Sequence, residues 1–205
     1  AAALGAKEFV AVSEAAAGSF PPGRPVTVLH NGVDEKRVLA MRSRDEVRQE
    51  WGLAPHHVAV GFVGRFAPEK RPHLIAQAVA RLGSSYRAVF VGGGPAAKEV
   101  TDKILSASPD SIVRPPIVQI GDVLNALECF VLPSLVEGFS LGLAEAWLAG
   151  FPTVATSVGA VGELEAVHGR LTIPLRCEPS ADEVAAATQA ALSRDNAVIV
   201  AHARS

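Results

Sequence analysis

Two glutamates and two cations are the residues of this chain whose types and spacing could do chemistry. Glu137 follows an apolar run, Cys129-Phe130-Val131-Leu132, that Pro133 and Ser134 stop. That is the pattern of a strand buried on both faces. Glu145 lies in a stretch where Leu141, Leu143, Ala144, Trp147 and Leu148 cover more than one helical stripe, which predicts a helix buried almost all round. Its neighbours at helical contact spacing, Leu141, Leu148 and Ala149, offer no positive partner. A carboxylate in such a place is costly unless something satisfies it. Either Glu145 sits at the helix's one wet edge or is held by a distant Arg, or it points into a cleft and accepts hydrogen bonds from a ligand's hydroxyls. The residues before it favour the cleft. Gly138 lets backbone come close to a ligand, and the free N–H groups at the helix start, around Phe139, Ser140 and Leu141, form an anion site.

The cations come earlier. Val58 to Gly64, VAVGFVG, is apolar and β-branched and reads as a central strand, followed at once by Arg65-Phe66-Ala67-Pro68-Glu69-Lys70. The next helix is predicted to begin near Pro72, with Leu74, Ile75, Ala78, Val79 and Leu82 as its apolar stripe. Arg65 and Lys70 then occupy a strand-to-helix loop at the carboxyl end of the strand, the edge where open parallel sheets bind ligands. By themselves they read either as a phosphate site or as an ordinary charged loop.

The stretch EGFSLGLAEAWLAGFPTVAT, with Glu137 and Glu145 separated by seven residues, resembles the paired-glutamate signature of retaining, nucleotide-sugar-dependent glycosyltransferases of the GT-B fold, the glycogen-synthase and mannosyltransferase-like group. The match takes in the preceding strand, Pro133-Ser134, Glu137-Gly138, Glu145-Ala146, Gly150 and Pro152. The Gly64-Arg65 pair followed by Glu69-Lys70 fits the same family. The resemblance implies that Arg65 and Lys70 hold the diphosphate of a nucleoside-diphosphate sugar donor, that Glu145 binds the ribose hydroxyls and that Glu137 lies near the hydroxyls of the donor sugar. Gly64, Gly138, Phe139, Ser140 and Leu141 complete the expected donor site. Arg65, Lys70 and Glu137 are the residues assigned to the transfer itself, with the donor phosphate taking part and no general base named.

Strands alternating with helices predict an α/β chain, a doubly wound Rossmann-like parallel sheet with helices on both faces. By the resemblance it is the C-terminal half of a GT-B fold. Residues 1–33, with short strands at Glu8–Ser13 and Val26–Leu29 and a turn at Asn31-Gly32-Val33-Asp34, are expected to be the remnant of an N-terminal, acceptor-side domain. His30 before that turn reads as ordinary surface or as a ligand contact. Residues 34–56 form a polar linker with one helix, capped by Ser43 and Glu46 and stopped at Gly52. Asp45, Glu46, Arg48 and Glu50 are expected on its solvated face. Residues 57–194 form the donor-binding domain and residues 195–205 a C-terminal tail. Within that domain Ala88–Val91 is a strand ending in a triple-glycine turn, Ala96–Ala107 a helix, Ser111–Val113 a strand, Asp122–Leu127 a turn or two of helix and Pro152–Ala155 a strand. Ser157 to Glu163 reads as a loop, where Ala160 and Gly162 replace a glycine and a proline usual in the family. Leu171–Ile173 is a last edge strand, and Ser180 with Glu183 caps a helix running to Leu192.

Composition removes some classes. The chain has 205 residues, 49% of them hydrophobic, and a formal net charge of −2. That charge exerts no general pull on nucleic acid, and no apolar run approaches the roughly 18 residues that span a bilayer. There is no Asp-x-Asp motif and no His/Cys cluster with metal spacing, so neither metal nor cofactor is expected. The triple glycine is not a dinucleotide fingerprint, since the third glycine at the right spacing and the following acidic residue are missing. Cys129 in a core strand and Cys177 in a loop predict no structural disulfide and favour a reducing, cytoplasmic setting. The opening AAALGAKEFV lacks the charge and length of a signal peptide, and a chain that starts with Ala is expected to be a fragment. The partners expected are a nucleoside-diphosphate sugar and a carbohydrate or other glycosyl acceptor. Acceptor choice and any peripheral membrane contact belong to the missing domain. Two other classes stay open: a non-catalytic nucleotide or sugar-phosphate binding module, and a GT-B-fold nucleotide-sugar epimerase.

Overall fold

A computed structural model describes residues 8–194; the expected tail at 195–205 lies outside them. The described chain opens with β1 (Phe9–Ala11), a short α1 (Glu14–Ala17) and β2 (Val26–Val28), the two strands pairing in parallel. A 3-10 turn at Glu35–Val38 leads to α2 (Arg44–Glu50), where the Ser43 and Glu46 side chains cap each other's backbone as their spacing predicts. Then come β3 (Val58–Arg65), α3 (Pro72–Leu82), β4 (Tyr86–Gly93), α4 (Ala97–Ala107), β5 (Ile112–Arg114), α5 (Ile120–Ala126), β6 (Cys129–Leu132), α6 (Leu141–Leu148), β7 (Thr153–Thr156), α7 (Ala160–His168), β8 (Ile173–Leu175) and α8 (Ala181–Leu192).

The six later strands form one parallel sheet in the order β5-β4-β3-β6-β7-β8. The chain builds outward from β3 to β5, then returns to the other side of β3 and builds outward again from β6 to β8. The switch point lies between β3 and β6. Side-chain alternation sorts the core onto the two faces. Ala59, Val89 and Val91 pack with Val47, Trp51 and Val123 under α2 and α5, while Val60, Phe62 and Phe90 pack with Ile75, Val79 and Ile104 under α3 and α4. Helices cover both faces, as the alternating pattern predicts.

Four local expectations need correction. Arg48 does not face solvent: it is buried, donating from Nη1 to the Ala126 carbonyl at 2.9 Å and from Nη2 to those of His57 and Ala54 at 2.6 and 3.0 Å. Gly92 and Gly93 are strand residues, paired with Gly64 and Arg65, so the triple glycine is a turn only at Gly94. The Ser157–Glu163 segment is the start of α7 rather than loop throughout. Finally, α6 is not buried all round: Leu143, Glu145, Ala146 and Trp147 are buried, but Leu141 is exposed. Both cysteines are free, Cys129 buried and Cys177 exposed.

Candidate functional site

Each strand flanking the switch point ends in a loop that carries part of the site. After β3 the chain makes a 3-10 turn at Pro68–Lys70, and Arg71 takes a left-handed conformation (φ 49°) before Pro72 opens α3. Arg71 holds this kink by donating from Nε to the Pro133 carbonyl at 2.8 Å and from Nη2 to the Cys177 carbonyl at 2.6 Å. After β6 the chain runs from Pro133 to Ser140, the N-cap of α6, whose hydroxyl accepts from the Leu143 amide. The two loops are tied directly, since the Leu135 amide donates to the Glu69 carbonyl at 2.8 Å.

This arrangement brings Lys70 and Glu137 together across the switch point. Lys70 Nζ lies 2.6 Å from both carboxylate oxygens of Glu137, and Glu137 Oε1 also accepts from the buried Ser134 hydroxyl at 2.7 Å. The pair is enclosed, the two side chains being 16% and 4% exposed. An ammonium has three donors. Two go to Glu137, which leaves one for a ligand. Arg65 stands apart: its side chain is 61% exposed and among the described residues pairs only with Glu69, Nη2 to Oε1 at 2.8 Å. A neighbouring strap fixes the Glu137 loop from behind. Gly159, at φ 60°, lies where any Cβ would meet the Glu137 carbonyl oxygen at 2.4 Å, and the Ala160 amide donates to the Gly138 carbonyl at 3.0 Å. The Gly159 spacing legible in the sequence therefore serves to shape the Glu137–Gly138 turn.

A cavity of about 290 Å³ opens over these groups. Gly64, Arg65, Lys70 and Glu137 line it on one side, and Phe139, Ser140 and Leu141, at the amino end of α6, line it on the other. Gly138 and Glu145 are not among the lining residues. A second cavity, of about 240 Å³, adjoins it, sharing Val63, Gly64 and Arg65 and continuing to Gly93 and Pro116. Glu145 lies one helical turn beyond Leu141 on the same face of α6. It is 4% exposed, and its partner is a distant arginine: Arg37 Nε donates to Glu145 Oε1 at 2.5 Å. The distant-Arg reading is thus realised.

Local sequence reasoning missed Ser134, Arg37 and Gly142, whose backbone position in α6 abuts the Val63 carbonyl and which lines the main cavity. It also left His30 undecided. His30 Nε2 lies 3.0 Å from Glu163 Oε2, and the Glu163 carboxylate accepts from the Glu14 and Ala15 amides at 3.0 and 3.2 Å, joining α7 to the N-terminal strand unit. Burial alone would raise the Glu163 pKa, but these bonds together outweigh it and hold it below the usual carboxylate value. Among the described residues no group of three or more His, Cys, Asp or Glu is placed to hold a metal ion. No helix among them is long and apolar enough to cross a membrane.

Residues 57–194 match the family model described as glycosyl transferases group 1. The chain belongs to this family. It is 33% identical over 164 residues to a D-inositol 3-phosphate glycosyltransferase of Mycolicibacterium smegmatis, covering 71% of this chain and 36% of that protein. It is 32% identical over 144 residues to a GDP-mannose-dependent alpha-mannosyltransferase of Corynebacterium glutamicum, covering 68% of this chain and 33% of that one. Among solved structures, the Anabaena protein HepE in complex with UDP and glucose superposes with a TM-score of 0.82 at 25% identity, covering 97% of this chain and 57% of that one. The GT-B resemblance thus holds at the level of fold and family. The chain spans about a third of the length of the curated relatives it matches.

Proposed function

We propose that this chain is the donor-binding half of a retaining, metal-independent hexosyltransferase that takes its sugar from a nucleoside-diphosphate sugar. The observation that carries the proposal is the convergence of Arg65, Lys70, Glu137 and the amino end of α6 on one cavity at the switch point of the sheet, where open α/β sheets bind ligands. Arg65, exposed and paired with Glu69, is available to a diphosphate, and Lys70 contributes its third donor. Such charge-assisted hydrogen bonds are worth about 1.5–3 kcal/mol each. With the free N–H groups of α6 they neutralise the charge that develops on the leaving diphosphate, the work a metal ion does elsewhere.

In this reading Gly64 and the adjoining cavity at Pro116 take the base, Glu145 takes the ribose hydroxyls, and Glu137, oriented by Lys70 and Ser134, lies beside the donor sugar. Gly138, Phe139, Ser140 and Leu141 form the wall against which the donor sits. The mannosyltransferase relative and the HepE complex support a nucleotide-sugar donor, and they differ in base. Residues 57–194 are then the donor domain, 34–56 the linker and 1–33 the end of an acceptor-side domain, in a cytoplasmic protein. That further domain binds the acceptor and makes any membrane contact, so this chain binds donor without turning it over.

Calorimetric titration with UDP, GDP and ADP tests the reading. One of them should bind, at least tenfold more weakly (about 1.4 kcal/mol) in Arg65→Ala and in Glu145→Ala. Absence of binding by all three, or affinity indifferent to both substitutions, would overturn it.

A further inference from the structure

We infer that Arg37, in the linker, positions Glu145 for the ribose of the donor. This rests on the reading of Glu145 as the ribose-binding carboxylate and adds the residue that makes that role possible. Glu145 is buried in a helix whose neighbouring side chains are apolar, and a buried carboxylate without a partner is strongly disfavoured. Arg37 supplies the charge from outside the helix, through Nε to Oε1 at 2.5 Å. Among the described residues Oε2 has no hydrogen-bond partner, yet the only fully buried side-chain oxygen or nitrogen left without one is Ser111 Oγ. Oε2 therefore keeps some contact with solvent. One oxygen anchored and the other open is the arrangement that presents a carboxylate edge to a pair of neighbouring hydroxyls.

The anchor is itself rigidly held. Asp34 caps the 3-10 turn that carries Arg37, accepting from the Lys36 amide at 3.0 Å. Gln119, at the start of α5, donates from Nε2 to the carbonyls of Lys36, Arg37 and Leu39. Asp122 Oδ1 accepts from the Met41 and Arg42 amides at 2.6 and 2.9 Å. Gly121 leaves no room for a side chain, since a Cβ there would lie 2.3 Å from the Leu39 carbonyl oxygen. The turn is thus fastened to α5 on both sides of Arg37, which fixes the backbone from which the guanidinium reaches Glu145. Arg37 itself remains 49% exposed.

The test compares two ligands on four proteins: wild type, Arg37→Ala, Glu145→Ala and the double variant, each titrated with UDP, GDP and ADP and with their 2′,3′-dideoxy forms. In wild type, the diphosphate that binds should lose about tenfold or more in affinity when its ribose hydroxyls are removed. In Arg37→Ala the ribose form should weaken by about tenfold while the dideoxy form changes little, so that the discrimination disappears. The double variant should be no worse than Glu145→Ala. Equal weakening of ribose and dideoxy forms, additive with Glu145→Ala, would overturn the proposal by making Arg37 a direct ligand of the phosphates. Unchanged discrimination in Arg37→Ala would reduce Arg37 to a structural ion pair. If Glu145→Ala itself leaves discrimination intact, the parent reading of Glu145 fails instead. Should Arg37→Ala not fold, Arg37→Gln, neutral and of similar reach, carries the same comparison.

Discussion

Glu137, in the loop before α6, and Glu145, within α6, are both buried carboxylates, each with a single cationic partner among the described residues, yet they are satisfied in different ways. Glu137 spends both oxygens on Lys70 and one of them also on Ser134, inside an enclosed pair. Glu145 gives one oxygen to a half-exposed arginine and keeps the other open. The contrast separates two uses of a buried charge. In the proposed reading the closed pair shapes the cleft floor and reaches a ligand chiefly through the last donor of Lys70, and the open one is the carboxylate that takes the ribose.

The largest effect expected from this contrast is on the closed pair. Lys70→Ala leaves Glu137 buried with only Ser134, which should cost about 3–5 kcal/mol in urea unfolding. Combining Lys70→Met with Glu137→Leu should restore a good part of that, because it removes both charges together. Loss of less than about 1 kcal/mol in Lys70→Ala would mean that Glu137 finds water or another partner, and the pair would not be closed. The open pair should respond less and asymmetrically. Arg37→Ala strands a buried carboxylate and should cost about 1–3 kcal/mol, whereas Glu145→Leu frees an arginine already in water and should cost clearly less. Equal costs would show that Glu145 is no more desolvated than its partner.

A third expectation concerns Glu163, whose pKa is lowered because the Glu14, His30 and Ala15 bonds outweigh its burial. A depressed carboxylate contributes stability above its ordinary pKa and loses it as pH falls through the folded-state value. Glu163→Gln should therefore destabilise the chain by about 1 kcal/mol at neutral pH, and the gap to wild type should close as the solution is acidified below the ordinary carboxylate range. A gap that stays constant with pH would mean that the charge of Glu163 is not what joins α7 to the N-terminal unit. The smallest effect belongs to Arg65. Exposed and singly paired, its replacement by Ala should leave the urea midpoint unchanged within about 0.5 kcal/mol. That makes it the cleanest probe of binding apart from folding.

What the sequence made legible follows from range. The apolar runs at Val58–Gly64 and Cys129–Leu132 announced the two central strands because burial on both faces leaves no other pattern. The Ser43–Glu46 and Ser180–Glu183 capping boxes marked α2 and α8 because both partners lie within one helical turn. Arg65, Lys70 and Glu137 could be placed on one edge from the order of elements alone. The start of α7 was hidden because Gly159 and Gly162 look like loop residues, although the structure uses Gly159 to turn tightly behind Glu137. Arg37 could not be matched to Glu145, since they lie 108 positions apart and a polar stretch carries no periodic signal. Arg48 is different. It shares an i, i+3, i+4, i+7 stripe with Arg44, Val47 and Trp51, so spacing alone could have placed it facing inward.

The account stands most directly on where a nucleotide settles, and a crystal structure of this chain grown with UDP, GDP or ADP would answer that. The result it predicts is a diphosphate bonded to Arg65 and Lys70 over the amino end of α6, with the ribose hydroxyls at Glu145 Oε2 and the base toward Pro116. A nucleotide bound away from the β3–β6 switch point, or one in the cleft with its ribose turned away from Glu145, would contradict it.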